Sequence, residues 1–160
     1  MAEAKTNVMR LLEQNKVPYT AHSYPHGKEA VDGVTVAQLT GKDPSTVFKT
    51  LVAVGASKRN YVFVIPVAKE LDLKKAAKAA GEKSVAMIHV SEITPLTGYV
   101  RGGCSPLGMK KRFPTVLDSS AEALETVTVS AGKIGSQIEL APADLLRLTG
   151  GTTADLTVEA

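Results

Sequence analysis

The sequence predicts an α+β fold: one domain on a mostly antiparallel, strongly curved sheet with short helices along its flanks. Three observations carry this. The chain has 160 residues, which suits one domain able to bury about 70% of the surface its unfolded chain exposes. Its apolar runs have strand length and come in pairs joined by short polar links, the order of hairpins. Short amphipathic helical stretches fall between them without the regular strand–helix alternation of a doubly wound parallel sheet. The sequence holds no repeats, linkers or low-complexity tracts, so residues 1–160 read as one unit.

Residues 4–16 place Val8, Leu11, Leu12 and Asn15 at helical spacing, and Pro18 ends the pattern. Residues 19–24 alternate as a strand does, Pro25-His26-Gly27 closes it, and Gly27 to Gly33 reads as a polar loop. Thr35 to Thr40 is a helical turn stopped by Gly41, and Asp43-Pro44-Ser45 turns the chain into the apolar run Val47 to Val54. Tyr61 to Pro66 is a second strand, joined to the first through Ser57-Lys58-Arg59-Asn60 as a hairpin. Leu71 to Ala80 is an Ala-rich helix ended by Gly81, with Leu71, Ala76 and Ala79 or Ala80 inward and Lys74, Lys75 and Lys78 outward. Ser91 can cap a short helix that Pro95 and Gly98 limit.

Thr115 to Asp118 is a strand, and Ser119 to Glu122 has capping-box spacing for a turn or so of helix. Val127–Ser130 and Gln137–Leu140 flank Ala131 to Gly135 as a second hairpin. Pro142 opens a last helix through Leu148, and the tail from Thr152 is a short edge strand or a frayed end.

Composition narrows the function. Aromatics are 4% of the chain and tryptophan is absent, which argues against single-strand binding on stacking platforms. The single cysteine, Cys104, excludes an internal disulfide and a cysteine-based zinc cluster and fits a reducing compartment. The first residues lack the apolar core of a signal peptide, and no apolar run is long enough to span a bilayer, so a cytoplasmic protein without a membrane partner is expected. Residues 1–116 carry 17 basic and 9 acidic side chains, whereas residues 117–160 carry 2 and 7. A polyanion would be drawn to the first part, although lysines on helices also serve as plain surface.

The stretch Gly102-Gly103-Cys104-Ser105-Pro106-Leu107-Gly108 must be a shaped loop, because glycine forfeits backbone entropy and proline lacks a donor. Two uses fit it: a tight connection, or a row of backbone N–H groups presented to an anion or a carbonyl oxygen. Lys49 interrupts an otherwise apolar strand on the face of Val47 and Leu51. Such a lysine is paired, depressed in pKa or aimed into a wet pocket, or else it guards a strand edge against aggregation. His22, His26 and His89 have no metal-ligand spacing, and neither G-x-S-x-G nor a Walker motif occurs, so no metal and no cofactor are expected. Cys104 has no histidine placed by sequence logic to activate it. A lysine, tyrosine hydroxyls, backbone donors and a basic rim remain, and such a site needs a substrate that brings its own nucleophile.

These stretches resemble the YbaK family of free-standing aminoacyl-tRNA deacylases, related to the editing domain inserted in bacterial prolyl-tRNA synthetases. The resemblance rests on His22-Ser23-Tyr24, Phe48-Lys49-Thr50-Leu51, Leu71 to Lys78, Thr97-Gly98-Tyr99, Gly102 to Gly108 with Lys110-Lys111, and Val129-Ser130 followed by Gly132-Lys133. It spans nearly the whole chain in order. It implies a barrel-like mixed sheet and a small aminoacyl pocket that clears cysteine from mischarged Cys-tRNA(Pro). Lys49 resembles the family lysine that anchors the 3′-terminal adenosine and its phosphate. Gly102 and Gly103 resemble the loop whose amides bind the aminoacyl carbonyl, and Lys49, Gly102 and Gly103 form the expected catalytic set. Tyr24, Thr50, Cys104, Ser105, Pro106, Ser130 and Gln137 would line the substrate pocket, and Lys110, Lys111 and Arg112 would contact tRNA phosphates.

In cysteine-specific members the substrate thiol is thought to attack its own ester, and in alanine-removing relatives a water assisted by the ribose hydroxyl does so. Gln137 stands where close cysteine-deacylating relatives carry aspartate, and Arg101 and Cys104 replace aliphatic residues. Another small aminoacyl-tRNA such as Ala-tRNA(Pro), or a non-catalytic tRNA- or protein-binding role, are therefore the alternatives. With no anticodon-reading domain in the chain, prolyl-tRNA synthetase is the expected partner for choosing the tRNA.

Overall fold

In a computed structural model of the chain, residues 5–25 and 32–158 are described. The expected His26-Gly27 turn and most of the polar loop after it lie outside the described residues. Helix α1 (Asn7–Gln14) starts at Thr6, whose side chain accepts from the Met9 N–H, and buries Val8, Met9 and Leu12. Strand β1 (Thr20–Ser23) follows, then α2 (Gly33–Leu39), capped by Asp32. A short turn at Pro44–Thr46 leads into β2 (Phe48–Gly55) and β3 (Asn60–Pro66). Helix α3 (Leu73–Ala80) ends at Gly81 in the left-handed conformation.

Then come β4 (Val85–Met87), α4 (Val90–Thr97), β5 (Thr115–Asp118), β6 (Val127–Lys133), β7 (Ser136–Leu140), α5 (Pro142–Thr149) and β8 (Thr152–Ala154). β4 was not foreseen: alanine and methionine are weak strand formers, and these three residues are held by pairing with Ala53–Gly55 of β2. α4 begins at Val90, earlier than the Ser91 cap expected, because Glu92 Oε2 accepts from the His89 N–H at 2.9 Å. The tail does form an edge strand, parallel to β5.

The α+β class and the mostly antiparallel pairing follow the sequence expectation, with parallel contacts only at β3–β5 and β5–β8 among the named strands. The strands form two sheets, ordered β1-β7-β6 and β4-β2-β3-β5-β8. They do not close into a barrel. A single parallel bridge, Val47 to Thr128, joins them, and a register shift between Ser130 and Lys133 interrupts the β6–β7 ladder.

Alternation along the strands assigns the faces. Phe48 and Val52 of β2, Val62 and Val64 of β3, and Val129 and Ile138 of the smaller sheet meet α1 in the main core. Phe63 and Ile65 of β3 point the other way, onto Ala76 and Ala77 of α3. β3 is thus buried on both faces, which is why it reads as an unbroken apolar run. A third, small cluster sets Ala37 of α2 on Val47 and Val67.

Candidate functional site

Residues paired across a bridge point to one side of a sheet, so Val47 and Thr128 fix which faces of the two sheets correspond. The face opposite the main core carries Val47, Lys49 and Leu51 from β2 and Thr128 and Ser130 from β6. Ser130 pairs with Gln137 in β7, and Gln137 pairs with His22 in β1, which continues the face through Glu139 and His22. In the smaller sheet this face is polar, yet Thr128 is 2% exposed and Gln137 7% exposed. A polar strand face that is buried is the wall of a site or a hydrogen-bonded interior. The Gln137 Oε1 atom has no hydrogen-bond partner among the described residues. An unpaired buried acceptor of this kind suits a ligand that donates to it.

Lys49 stands between two apolar contacts on this face, Val47 under α2 and Leu51 on the α3 side. The gap leaves it half-buried. Desolvation draws its pKa below the ordinary lysine value, against a weaker pull upward from Glu70, and no carboxylate among the described residues forms an ion pair with it. Tyr24 lies one residue past β1, buried, with its N–H on the Gly135 carbonyl at 3.0 Å. Thr50, by contrast, is turned by alternation to the side of Phe48 and Val52, and its hydroxyl is buried there without a partner among the described residues. The strand therefore separates Thr50's side chain from Lys49's.

The glycine loop is built from a turn. Gly102 has φ +84°, and the Gly103 N–H donates to Val100 O at 3.0 Å, as a turn with glycine at its third position requires. Gly103 then presses on the β6–β7 hairpin, where a Cβ would lie 3.0 Å from the backbone of Lys133 and Ile134. Its carbonyl accepts from Ser130 Oγ at 3.0 Å, which brings the loop and the polar face together. One expectation is corrected here: the Gly103 amide is spent inside the loop and is not free to bind a carbonyl. Among the described residues the N–H groups of Gly102, Cys104 and Ser105 have no intramolecular partner, and these are the donors the loop can offer.

Ser105 and Pro106 are buried framework; the Ser105 hydroxyl accepts from the Leu107 N–H at 3.3 Å rather than facing outward. Cys104 packs against the main core, and burial pushes its thiol up to about 11. At neutral pH it is a protonated, weak nucleophile. A residue missed by the site reading is Tyr99, quoted only as part of a motif. Its buried hydroxyl donates to Leu107 O at 2.6 Å and accepts from Asn7 Nδ2 at 2.7 Å, so it ties the loop to α1. The tyrosine beside a glycine loop was the available signal.

Lys110, Lys111 and Arg112 are all exposed. The Lys110 N–H is fixed to Thr97 O at 2.9 Å. Lys111 and Arg112 border a cavity of about 160 Å³ behind the loop, with Pro106, Phe113 and Thr149 in its wall. The Arg112 guanidinium lies against Gly150 at the C-terminal end of α5, where a cation is favourable. No group of three or more potential metal ligands occurs among the described residues, and none of their helices is long and apolar enough to cross a membrane.

The chain is thus a small α+β domain with a buried polar wall, a half-buried lysine without a salt bridge among the described residues and a donor-bearing loop. The aminoacyl-tRNA editing domain model fits residues 28–148, and the chain belongs to that family, as an aminoacyl-tRNA deacylase. It is 48% identical over 157 residues to the Enterococcus faecalis protein assigned as Cys-tRNA(Pro)/Cys-tRNA(Cys) deacylase EbsC, covering 98% of this chain and 96% of that one. A solved structure described as a trans-editing enzyme for prolyl tRNA synthetase is 26% identical, with a TM-score of 0.81 over 98% of this chain and 100% of the other. The structure of hypothetical protein APE2540, 24% identical, shares the fold with a TM-score of 0.84 over 94% and 99% of the two chains.

Proposed function

We propose that the chain removes cysteine from mischarged Cys-tRNA(Pro), acting in trans on the released tRNA. The observation that carries this reading is the pairing of a half-buried lysine that forms no salt bridge among the described residues, Glu70 being only a weak electrostatic neighbour, with a site lacking an activated nucleophile of its own. Lys49 has no ion pair among the described residues, and Cys104 is held protonated. The substrate must supply the attacking atom. The likeness to a protein named for Cys-tRNA(Pro) and Cys-tRNA(Cys) supports cysteine as that substrate.

The substrate's sulfur attacks its own ester carbonyl to close a four-membered thiolactone. The ester C–O bond to the ribose breaks, and the ribose oxygen takes the proton released by the thiol. Charge developing on the carbonyl oxygen is met by the N–H groups of Gly102 and Cys104, which have no partner inside the loop, each such donor being worth roughly 3–4 kcal/mol in a water-poor site. Lys49 holds the 3′-terminal phosphate and adenosine. Gln137 accepts from the substrate's amino group through the oxygen that the protein leaves unpaired. Ser130 keeps the loop seated through the Gly103 carbonyl, and Tyr24 closes the pocket beside it.

A second reading has its own observation. Gln137 is a neutral amide, and a neutral wall with a small pocket also fits Ala-tRNA(Pro), hydrolysed by a water that the ribose hydroxyl assists. Rates measured on Cys-tRNA(Pro), Cys-tRNA(Cys) and Ala-tRNA(Pro) separate the two, and a preference for alanine overturns the first. Prolyl-tRNA synthetase is the proposed partner for choosing the tRNA, and co-sedimentation with synthetase and tRNA tests it: no ternary complex would count against the partnership.

A further inference from the structure

Glu139 lies on the same polar face as Gln137, two residues on in β7, and the chemistry above does not use it. Its carboxylate is fully engaged. Oε1 accepts from His22 Nε2 at 2.8 Å and from Lys42 Nζ at 3.0 Å, and Oε2 accepts from Thr126 Oγ1 at 2.5 Å. These bonds, Thr126's foremost, hold its pKa down to about 2, so it is ionised at neutral pH, and His22 must carry its proton on Nε2 to donate.

The three donors come from three different places in the chain. His22 is in β1, two residues before Tyr24. Lys42 follows α2, with its N–H bonded to Ala37 O. Thr126 immediately precedes β6, which carries Ser130. One carboxylate therefore ties His22 of β1 and Lys42 just after α2 to the strand that carries Gln137. Tyr24 follows His22 by two residues, and α2 packs on Val47, two residues before Lys49. The side chains are partly exposed, 26% for Glu139 and 16% for Lys42, where ion pairs contribute little to global stability. Their yield is geometric: they set where Tyr24 and the end of α2 sit relative to Lys49, Ser130 and Gln137.

We infer that Glu139 is a positioning residue for the deacylase site, acting through His22 and Lys42 on the placement of Tyr24 and α2. The inference rests on the deacylase reading for its kinetic readout, and on backbone protection for a readout independent of it. The experiment compares wild type, Glu139→Gln, Lys42→Met and the double variant, with Asp144→Asn on the surface of α5 as control. It measures single-turnover release from a charged tRNA that wild type cleaves, and native-state hydrogen exchange.

Glu139→Gln keeps the size of the side chain but loses its charge and one acceptor. It is expected to lower the single-turnover rate about tenfold with an unchanged half-saturating tRNA concentration. The double variant should be within about twofold of Glu139→Gln, because both changes break one clamp. The Tyr24 amide should exchange faster while the amides of β3 keep their protection, and Asp144→Asn should match wild type in every readout. Unchanged rate and unchanged Tyr24 exchange overturn the inference. So does a loss of rate accompanied by equal loss of protection in β3, which would make Glu139 a stabilising residue only. Failure of wild type to cleave any charged tRNA would sink the deacylase reading alone, since Tyr24 exchange would still decide whether Glu139 positions that segment.

Discussion

Lys49 is the residue at which stability and the proposed function pull apart. Burial lowers its pKa, so between its folded and unfolded pKa values the unfolded chain binds more protons than the folded one. Stability therefore rises with pH across that window, and below it the penalty for the buried charge applies in full. Lys49→Met should melt higher than wild type at neutral pH, and the gap should close as pH climbs into the ordinary lysine range. The same variant should lose deacylation. Thermal melts from pH 7 to 11 check the first part, and a lower melting temperature for Lys49→Met would contradict it. Lysine inside an apolar run made this residue legible in the sequence. Thr50's orientation followed from the same alternation that placed Lys49, yet a motif that treats the two as neighbours hides it.

Cys104 answers a question that sequence left open. Its thiol, pushed up to about 11 and packed at the core, should resist iodoacetamide in the native protein at pH 7.5 and react readily once the protein is unfolded. Cys104→Ser should keep most of the deacylation rate; loss of more than about tenfold would restore the thiol to the chemistry. Burial of this kind depends on Tyr99 and Thr97 arriving from α4 and the turn after it, which no local sequence pattern reports.

At the scale of elements, the loop from Gly102 to Gly108 is held from three sides: by its own Val100–Gly103 turn, by Ser130 and the β6–β7 hairpin, and by Tyr99 with Asn7 of α1. Glycine and proline content identified the loop, but which of its amides are free depends on hydrogen bonds set by the fold. Gly103's tight fit against Lys133 and Ile134 was equally invisible, being a contact between distant segments. Tyr99→Phe strands the Leu107 carbonyl, and an unsatisfied buried group costs about 1–3 kcal/mol. The variant should be less stable by that amount in chemical denaturation, and deacylate more slowly even where it is fully folded. A stability equal to wild type would show that water replaces the hydroxyl without loss.

At the scale of the whole molecule, the hairpins, the helices and the α+β class could be read from apolar spacing and turn residues, because those signals are local. The split into two sheets could not, since it turns on one bridge at Val47–Thr128 and a register shift in β6. The polar face that results carries Lys49, Ser130 and Gln137 from three strands, and only pairing brings them together. The charge asymmetry is a whole-molecule property too. Lys110 and Lys111 are exposed beside the loop, and replacing each with alanine should make the salt dependence of tRNA binding shallower by about one unit. Arg112, resting on the end of α5, should change that slope less. Equal slopes for wild type and the lysine variants would return the basic run to plain surface.

The most direct measurement is single-turnover release of cysteine from Cys-tRNA(Pro) by wild type and by Lys49→Ala. Wild type should exceed the uncatalysed rate by a wide margin, with Lys49→Ala slower by at least about 100-fold at subsaturating tRNA, the scale of losing one charged contact to the terminal phosphate. Equal rates for the two proteins, or no release above the uncatalysed reaction, would contradict the account.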